Sequence, residues 1–458
     1  MENPDRDNIY FLGIGGIGMS ALARYFHMQG KNVHGYDKTP SKLTDEMQSE
    51  GITMHFEDNP ALIPEIFLLK EKTLVIYTPA IPGDHQELGY FRKYGYDIFK
   101  RSEILGFITR EKNGLAVAGT HGKTTISTLL AHLLHVSPVK CSAFLGGVSN
   151  NYLTNFLYSG SSPHVVVEAD EYDRSFLHLS PQLAIVTAID PDHLDIYGDF
   201  EGLKKGFEDF LQKVKKGGIA IFNEAIPFRL NVSRNVKIFT YSGYKKADYY
   251  AFNHLVHDGG YQFDLMTPGG VISNFFMPLP GKINVENSVA AITACLQLGI
   301  APDELKIGLA EFKGVRRRFD FRVKADDFIF MDDYAHHPKE LEAVIQSVKD
   351  VYPGRHVTGI FQPHLYSRTR DLVNGFAKSL DMLDRAYILD IYPAREKPIK
   401  GITSKLIFDR MKLNDKYLIK KEKVINTLEK KNLDILMTLG AGDIDTLVEP
   451  LKRKMIGQ

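Results

Sequence analysis

Short apolar runs alternate with amphipathic stretches along nearly the whole chain. Runs such as Ile9–Leu12 and Leu115–Ala118 are each followed by a loop and then by a helix-like stretch. This order is typical of parallel strands that are buried between helices. The pattern therefore predicts an α/β fold with mostly parallel sheets.

The apolar runs group into three blocks, which we interpret as domains spanning residues 1–108, 109–313 and 314–458. The first block opens with a strand, a glycine loop and a helix in IYFLGIGGIGMSALARYF. The second repeats that order from LAVAGTHGKTT, then has a β-richer stretch through Met277 and a helix from about Val285 to Leu298. The third alternates strands with helices from FIFMDDYA to DILMTLGAGD.

Composition narrows the class of protein. The 458 residues include 56 Lys+Arg and 56 Asp+Glu, so the formal net charge is +0, which argues against a nucleic-acid binder held by bulk charge. The polar start lacks the pattern of a secretion signal, and no apolar run approaches bilayer length. The two cysteines, Cys141 and Cys295, form no CxxC motif, which predicts reduced thiols and no zinc site. We expect a cytoplasmic protein, monomeric or weakly dimeric, without nucleic-acid or membrane partners.

The second glycine loop has the features of a phosphate site, because it follows a strand and opens a helix. Lys123 is expected to reach the terminal phosphates of a nucleotide, and the Thr124 hydroxyl to bind Mg²⁺. Val117 stands where the usual P-loop has glycine, so the loop is a shortened variant. A helix N-terminus with a chance Gly-Lys-Thr is the alternative. The predicted ATP contacts are Gly119, Thr120, His121, Gly122, Lys123, Thr124 and Thr125.

Two acidic runs follow at the ends of predicted strands, where ligands bind in open α/β sheets. Glu168, in the run EADE, is the expected magnesium ligand. His193, in the run DPDHLD, is the candidate for a second metal, although magnesium prefers oxygen ligands. Either run alone could be a solvated turn. With the loop, they predict one nucleotide site.

The first glycine loop matches GxGxxG after a strand, and Asp37 ends the next strand. This pattern predicts binding of a diphosphate, with Asp37 on a ribose. NAD contains a diphosphate, and so does a UDP-sugar. A tight turn without a ligand is a further alternative. The predicted contacts in the loop are Gly15, Gly16, Ile17 and Gly18.

Taken together, the motifs resemble the Mur ligase family of peptidoglycan synthesis, over the whole chain and in the family's order. The matching runs are GIGGIGMSALA, AGTHGKTT, EADEYD, DPDHLD, GKINVENSVAA, RRFD, DDYAHHP, FQPHLYSRTRD and GAGD. The resemblance implies three domains: a Rossmann-like UDP-sugar-binding domain, a central P-loop-type ATPase domain, and a C-terminal Rossmann-like domain for the amino acid.

The resemblance also implies an activity. The lactyl carboxylate of UDP-N-acetylmuramate would take the γ-phosphate of ATP, and the amine of L-alanine would attack the resulting acyl phosphate, with Mg²⁺ as a cofactor. The alternative acceptor is the tripeptide L-Ala-γ-D-Glu-diaminopimelate, which a sister enzyme of murein recycling uses. Lys123 and His193 are the catalytic residues implied in the second block, and Asn287 is the implied adenine contact.

In the third block the resemblance implies roles for side chains at strand ends. Asp333 is expected to hold the ATP ribose. At least one arginine of the run Arg316, Arg317 and Arg318 is expected to contact a phosphate, and Arg318 is taken as that residue. His336 and Arg368 are expected to act in catalysis on the amino acid, where a planar guanidinium suits a carboxylate. Tyr334 and His364 complete this predicted substrate site.

Two departures from the family pattern stand in the sequence. Leu365 replaces an arginine that the family often has, and Ile283 replaces the histidine of an HNxxN motif. Two other functions are open on the motifs alone. The interpretation as a nicotinamide dehydrogenase depends on GxGxxG alone. The joint presence of Lys123, Thr124 and Glu168 with His193 argues against the second, a non-catalytic nucleotide-binding regulator.

Overall fold

The computed structural model describes residues 6–191, 194–394 and 396–457, without the side chains of Leu194 and Asp195. It contains three sheets, one in each predicted block. Within the described residues, no helix is long and apolar enough to cross a membrane.

The first block folds around a five-stranded parallel sheet of order β3-β2-β1-β4-β5. Its strands are β1 Asn8–Leu12, β2 Asn32–Tyr36, β3 Thr53–His55, β4 Thr73–Tyr77 and β5 Asp97–Lys100. Its helices are α1 Ile17–Met28, α2 Lys42–Ser49, α3 Gln86–Lys93 and α4 Arg101–Glu111. The order changes direction between β1 and β4, so this is the point at which a ligand is expected.

The second block contains a ten-stranded sheet of order β15-β14-β13-β12-β11-β10-β6-β9-β7-β8. The strands are β6 Asn113–Ala118, β7 Ser142–Phe144, β8 Phe156–Leu157, β9 His164–Ala169, β10 Leu183–Val186, β11 Ile219–Asn223, β12 Lys237–Ser242, β13 Tyr249–His257, β14 Gly260–Thr267 and β15 Gly270–Met277. The helices are α5 Lys123–Val136, α6 Leu194–Tyr197, α7 Phe200–Leu211, α8 Lys282–Gln297 and α9 Pro302–Ala310. The strands from β12 to β9 pair in parallel, as the apolar runs predicted.

The third block has a six-stranded sheet of order β16-β17-β21-β18-β19-β20, in which only the β16–β17 pair is antiparallel. The strands are β16 Asp320–Lys324, β17 Ile329–Asp333, β18 Val357–Phe361, β19 Arg385–Ile388, β20 Lys416–Leu418 and β21 Ile435–Leu439. The helices are α10 Pro338–Val351, α11 Tyr366–Leu380, α12 Lys405–Arg410, α13 Lys421–Thr427 and α14 Val448–Ile456. Apolar clusters cover both faces of this sheet.

By spatial contact the chain divides into two compact units. Unit 1 holds the residues up to Phe252 with Asp264–Phe275 and Glu286–Phe312, and unit 2 holds Asn253–Phe263, Phe276–Val285 and the residues from Lys313 onward. The first block and most of the second thus share one unit and one continuous apolar core. The boundaries at residues 108 and 313 remain predictions.

Helix α1 connects the two blocks of unit 1. Arg24 is 5% exposed and forms a bidentate pair with Glu50, two N–H···O bonds of 2.7 Å, and it also donates to Asn155 Oδ1. The amide of Asn155 in turn donates to Ser20 Oγ at 2.9 Å and to the carbonyl of Ile17. Asn155 therefore fixes the first turn of α1, directly after the first glycine loop.

Replacement of Asn155 by alanine should destabilise unit 1 by about 1–3 kcal/mol, because a buried Arg24 donor and the Ser20 hydroxyl lose a partner. Urea unfolding followed by circular dichroism measures this change. Asn235, which is exposed, provides the matched control, and Asn235→Ala should change stability by less than about 0.5 kcal/mol. Equal stabilities for the two variants would contradict the proposed anchoring of α1.

Candidate functional site

The second glycine loop joins β6 to α5 and is held against the turn that follows β10. Gly119 has φ +134° and Gly122 has φ +79°, both in the left-handed range that favours glycine. Thr120 N donates to Ala188 O at 3.0 Å, and Thr187 Oγ1 donates to the carbonyl of His121. These bonds fix the loop, and the N-terminus of α5 contributes N–H groups and the positive end of its dipole, which suit a phosphate.

Lys123, the first residue of α5, is held by two oxygens. Its Nζ donates to Gly119 O at 2.7 Å and to Glu171 Oε1 at 2.8 Å. The Glu171 side chain is 1% exposed; burial raises the pKa of its carboxyl group, and Lys123 partly opposes this rise. Tyr197 OH donates to the backbone oxygen of Glu171 at 2.7 Å and so fixes this residue. The ion pair holds the Lys123 ammonium at the loop.

Two side chains whose oxygens could bind a metal ion lie beside the first turn of α5. Thr124 Oγ1 donates to Glu168 Oε1 at 3.2 Å, and a side chain at Gly146 would overlap the Glu168 carboxylate. Magnesium prefers oxygen ligands and is often bound by one or two protein groups together with substrate phosphates. The hydroxyl and the carboxylate therefore fit a magnesium ion that is shared with a nucleotide.

The second predicted metal ligand, His193, lies outside the described residues. Across the part of the chain that the structure describes, no group of three or more His, Cys, Asp or Glu side chains is arranged to hold a metal ion.

Three other predicted ATP-site residues surround the loop. Asn287 is buried on α8, and its Oδ1 lies 3.1 Å from the position that a Cβ would take at Gly122. His121 is exposed, and its Nε2 lies 3.6 Å from Asp190 Oδ2. Thr125 is buried in the first turn of α5. The structure brings all three to the same loop.

The first glycine loop joins β1 to α1. Gly13 has φ +85°, and Gly15 N donates to Asp37 Oδ2 at 2.7 Å. Asp37 therefore fixes the loop, and its predicted ribose contact remains a prediction. A Cβ at Gly15 would lie 2.9 Å from that carboxylate oxygen, whereas at Gly16 it would meet its nearest neighbour, Gly13 O, at an ordinary 3.6 Å. The protein thus restricts Gly15, and it leaves open space above Gly16 and the exposed Ile17.

In unit 2, Asp333 ends β17 and is enclosed by backbone donors. Its carboxylate accepts hydrogen bonds from Phe319 N and Ala335 N, both at 2.8 Å. Burial raises the pKa of Asp333 to about 7 against the effect of these bonds. The neighbouring Asp332, with its pKa raised to about 6 by burial, accepts a 2.6 Å bond from Thr438. The geometry gives Asp333 a role in fixing the chain between β17 and α10, and contact with a ribose remains a prediction.

The arginines before β16 separate into different roles. Arg317 donates to Gly440 O at 2.6 Å, lies 3.6 Å from Asp332 and covers the ring of Tyr334 at 4.9 Å. The partners of the Arg317 side chain therefore lie within the protein itself. Arg318 is exposed next to the buried Asp333, and it remains the predicted phosphate contact.

His336, His364 and Arg368 form one cluster at the carboxyl edge of the third sheet. The rings of the two histidines are 6.0 Å apart, and Arg368 Nη1 lies 3.5 Å from His364 Nδ1. His336 Nδ1 lies 2.9 Å from Tyr334 O. Burial, Arg368 and His336 lower the pKa of His364 to about 4, and burial also lowers the pKa of His336. The cluster at neutral pH is thus one arginine cation beside two neutral imidazoles.

Leu365 marks a strained backbone position in this cluster. Its φ of +71° lies in the range that favours glycine, and its N–H donates to Tyr392 O at 2.9 Å. Tyr392 also stacks on His364 with ring centroids 5.7 Å apart. Such a conformation costs on the order of 1–3 kcal/mol and is concentrated at functional sites.

Sequence reasoning missed two residues of the ATP loop. Glu171 stands in the acidic run that supplied Glu168, but nothing in the pattern indicates that Lys123 pairs with the later carboxylate. Thr187 precedes the turn that carries Asp190 and gave no signal, since a threonine at a strand end is common. Both contacts depend on the pairing of β6 with β9 and β10.

Three family models match the chain in consecutive segments. They describe the Mur ligase family catalytic domain over residues 8–113, the Mur ligase middle domain over 117–295, and the Mur ligase glutamate ligase domain over 317–443. Together they match most of the chain.

Individual relatives are similar over nearly the full length. The UDP-N-acetylmuramate–L-alanine ligase of Parabacteroides distasonis is 50% identical over 450 residues, which are 98% of this chain and 97% of the relative. That of Cytophaga hutchinsonii is 46% identical, over 97% of this chain and 96% of the relative. The structure of UDP-N-acetylmuramate-alanine ligase from Thermotoga maritima aligns with a TM-score of 0.84 at 26% identity, covering 98% and 100% of the two chains.

Arg368→Gln should raise the pKa of His364, because the variant removes the cation that disfavours protonation of the imidazole. NMR titration of the histidine Cε1–H signals measures this change. His132, whose pKa is lowered mainly by burial in unit 1, serves as the internal reference and should not move. An unchanged His364 titration would show that Arg368 does not act on this imidazole.

Proposed function

Because the chain belongs to the Mur ligase family, we propose that it joins L-alanine to the lactyl carboxylate of UDP-N-acetylmuramate at the expense of ATP, in the synthesis of peptidoglycan precursors. One observation carries this assignment: relatives with this printed activity are about half identical to the chain from end to end. The carboxylate takes the γ-phosphate of ATP and releases ADP. The amine of L-alanine then attacks the acyl phosphate, and the C–N bond forms as the acyl C–O bond breaks and inorganic phosphate leaves.

The loop geometry of unit 1 supports ATP as the phosphate donor. A carboxylate can attack a γ-phosphate only when the negative charge of the phosphates is neutralised. The Lys123 ammonium, already held at the loop by Glu171 and Gly119 O, is one source of that positive charge. Thr124 and Glu168 would hold Mg²⁺, which supplies further charge neutralisation when bound.

The ion pair between Lys123 and Glu171 has a consequence for this step. The Gly119 carbonyl and the buried Glu171 carboxylate already orient the Lys123 ammonium before ATP arrives, and one of its three N–H donors is left for a phosphate. Little reorganisation is then needed when the nucleotide binds, which is the feature that makes electrostatic stabilisation effective.

The cluster in unit 2 supports an amino-acid subsite. Arg368 can bind the carboxylate of L-alanine through its planar fork. Burial lowers the pKa of His336 and of His364, so both imidazoles are neutral weak bases at physiological pH and add no positive charge beside the amino group of L-alanine. The amine must lose its proton before it can attack the acyl phosphate.

The tripeptide remains the second candidate acceptor. A murein peptide ligase from Psychrobacter arcticus aligns with a TM-score of 0.67 at 21% identity, covering 98% of both chains, and at that identity only the fold is shared. The relatives that are about half identical carry the alanine-adding name, and this favours L-alanine. We also propose a cytoplasmic enzyme that is a monomer or a weak homodimer.

The assignment predicts ADP release that depends on both UDP-N-acetylmuramate and an acceptor. With L-Ala, Gly, L-Ser and the tripeptide at equal concentration, L-Ala should react fastest. Its methyl group should favour it over Gly by about 1–3 kcal/mol. A coupled ADP assay with product mass spectrometry measures this preference. A faster reaction with the tripeptide would assign the recycling activity instead.

Lys123→Ala should reduce ligation at least about 100-fold, because the ammonium that compensates phosphate charge is lost. It should also lower stability by roughly 1–3 kcal/mol, because the buried Glu171 carboxylate loses its partner. Steady-state ADP release and thermal unfolding measure the two effects. The matched control is Lys205→Ala, which removes an exposed lysine from the same unit. Comparable turnover in the two variants would remove Lys123 from the ATP site.

A further inference from the structure

The carboxyl edge of the first sheet brings together two segments that are far apart in sequence. The first glycine loop follows β1, and α4 begins directly after β5. All five strands are parallel, so both segments lie at the same edge of the sheet. This edge includes the change of direction between β1 and β4, where α/β sheets bind their ligands.

Arg101, the first residue of α4, reaches the glycine loop from this position. A Cβ built at Gly18 would lie 3.0 Å from the Arg101 Cζ and 3.1 Å from its Cδ, and would overlap Nη1. The guanidinium therefore lies directly beside the last glycine of GxGxxG. The absence of a side chain at Gly18 is what allows this approach.

Arg101 is half-buried, and no carboxylate among the described residues pairs with its guanidinium. Within residues 6–191, 194–394 and 396–457, no side chain forms an ion pair or hydrogen bond with it. The N-terminus of α1 adds a second source of positive potential at the same place. An anion bound at this place would interact with both the guanidinium and the helix N-terminus.

Two other arginines on α1 and α4 differ from Arg101. Arg24, on α1, is buried but forms a bidentate pair with Glu50. Arg110, on α4 itself, lies over the ring of Phe107 at 4.5 Å. Each of them has a partner within the fold.

We propose that Arg101 binds the diphosphate of the nucleotide sugar, opposite the backbone N–H groups of the first glycine loop. This inference rests on the proposed function, which supplies a UDP-sugar to the loop. Arg101 lies against Gly18, at the start of α1. This position favours the diphosphate over the lactyl carboxylate as its partner, because a diphosphate is the group that binds at such a helix N-terminus.

Calorimetry with two nucleotide sugars tests the proposal. UDP-N-acetylglucosamine has the diphosphate but no lactyl carboxylate, and UDP-N-acetylmuramate has both groups. Arg101→Gln should weaken binding of both sugars by roughly 10- to 100-fold, the effect of one charge-assisted hydrogen bond, and should leave ATP binding unchanged. Arg110→Gln, the matched control on the same helix, should bind both sugars like the wild type.

A double-mutant cycle tests the contact with Gly18. Gly18→Ala should weaken binding of the sugars because its methyl group displaces the guanidinium, and the same change in the Arg101→Gln background should add little further loss. Fully additive losses would overturn the contact on which the inference rests.

The outcomes separate this inference from the proposed function. A wild-type chain that binds neither sugar would refute the proposed function itself. Wild-type affinity in Arg101→Gln, or a lower melting temperature with unchanged affinity, would overturn the role of Arg101 alone. A loss confined to UDP-N-acetylmuramate would overturn the diphosphate assignment and identify the lactyl carboxylate as the partner.

Discussion

All strands of a parallel sheet end at the same edge, and the chemistry of this protein depends on that constraint. In unit 1 it brings the loop after β6 beside the ends of β9 and β10, so that Lys123 meets Glu171 and Thr124 meets Glu168. In unit 2 the ends of β17 and β18 bring His336 beside His364 and Arg368. Each pair joins residues that only the sheet order makes neighbours.

Charge at these edges is arranged in two different ways. The positive charge of Lys123 is balanced by the buried Glu171 carboxylate, so the phosphates of a nucleotide would share this cation with a protein carboxylate. Arg101 at the first glycine loop has no such partner among the described residues, so its charge is left for a ligand. The first arrangement keeps a reactive cation oriented, and the second raises the potential where an anion is expected to bind.

Helix α1 has two structural tasks. Its N-terminus closes the first glycine loop, and its buried face packs Tyr25 against Phe144 and Phe156 of the second block, with ring centroids 5.3 and 6.1 Å apart. Arg24 and Asn155 add hydrogen bonds to the same contact. The first block and most of the second therefore belong to one unit, although their sheets are separate.

Local pattern alone determined much of this protein. The apolar runs predicted the parallel strands, and each of the two glycine loops lies between a strand and a helix, as predicted. These features depend on residues close together in sequence, whose backbone preferences and spacing are visible without the fold.

Only the tertiary structure decided which partners the charged side chains have. The sequence does not distinguish the roles of Glu168 and Glu171. Their positions beside β6 in the fold pair Glu168 with Thr124 and Glu171 with Lys123. Asp37 was predicted for a ribose and is engaged by Gly15 N, and Arg101 carried no signal until the sheet brought it to Gly18. The physical reason is that the energy of a charged group is set by its neighbours in space and its burial, and neither is encoded by its neighbours in sequence.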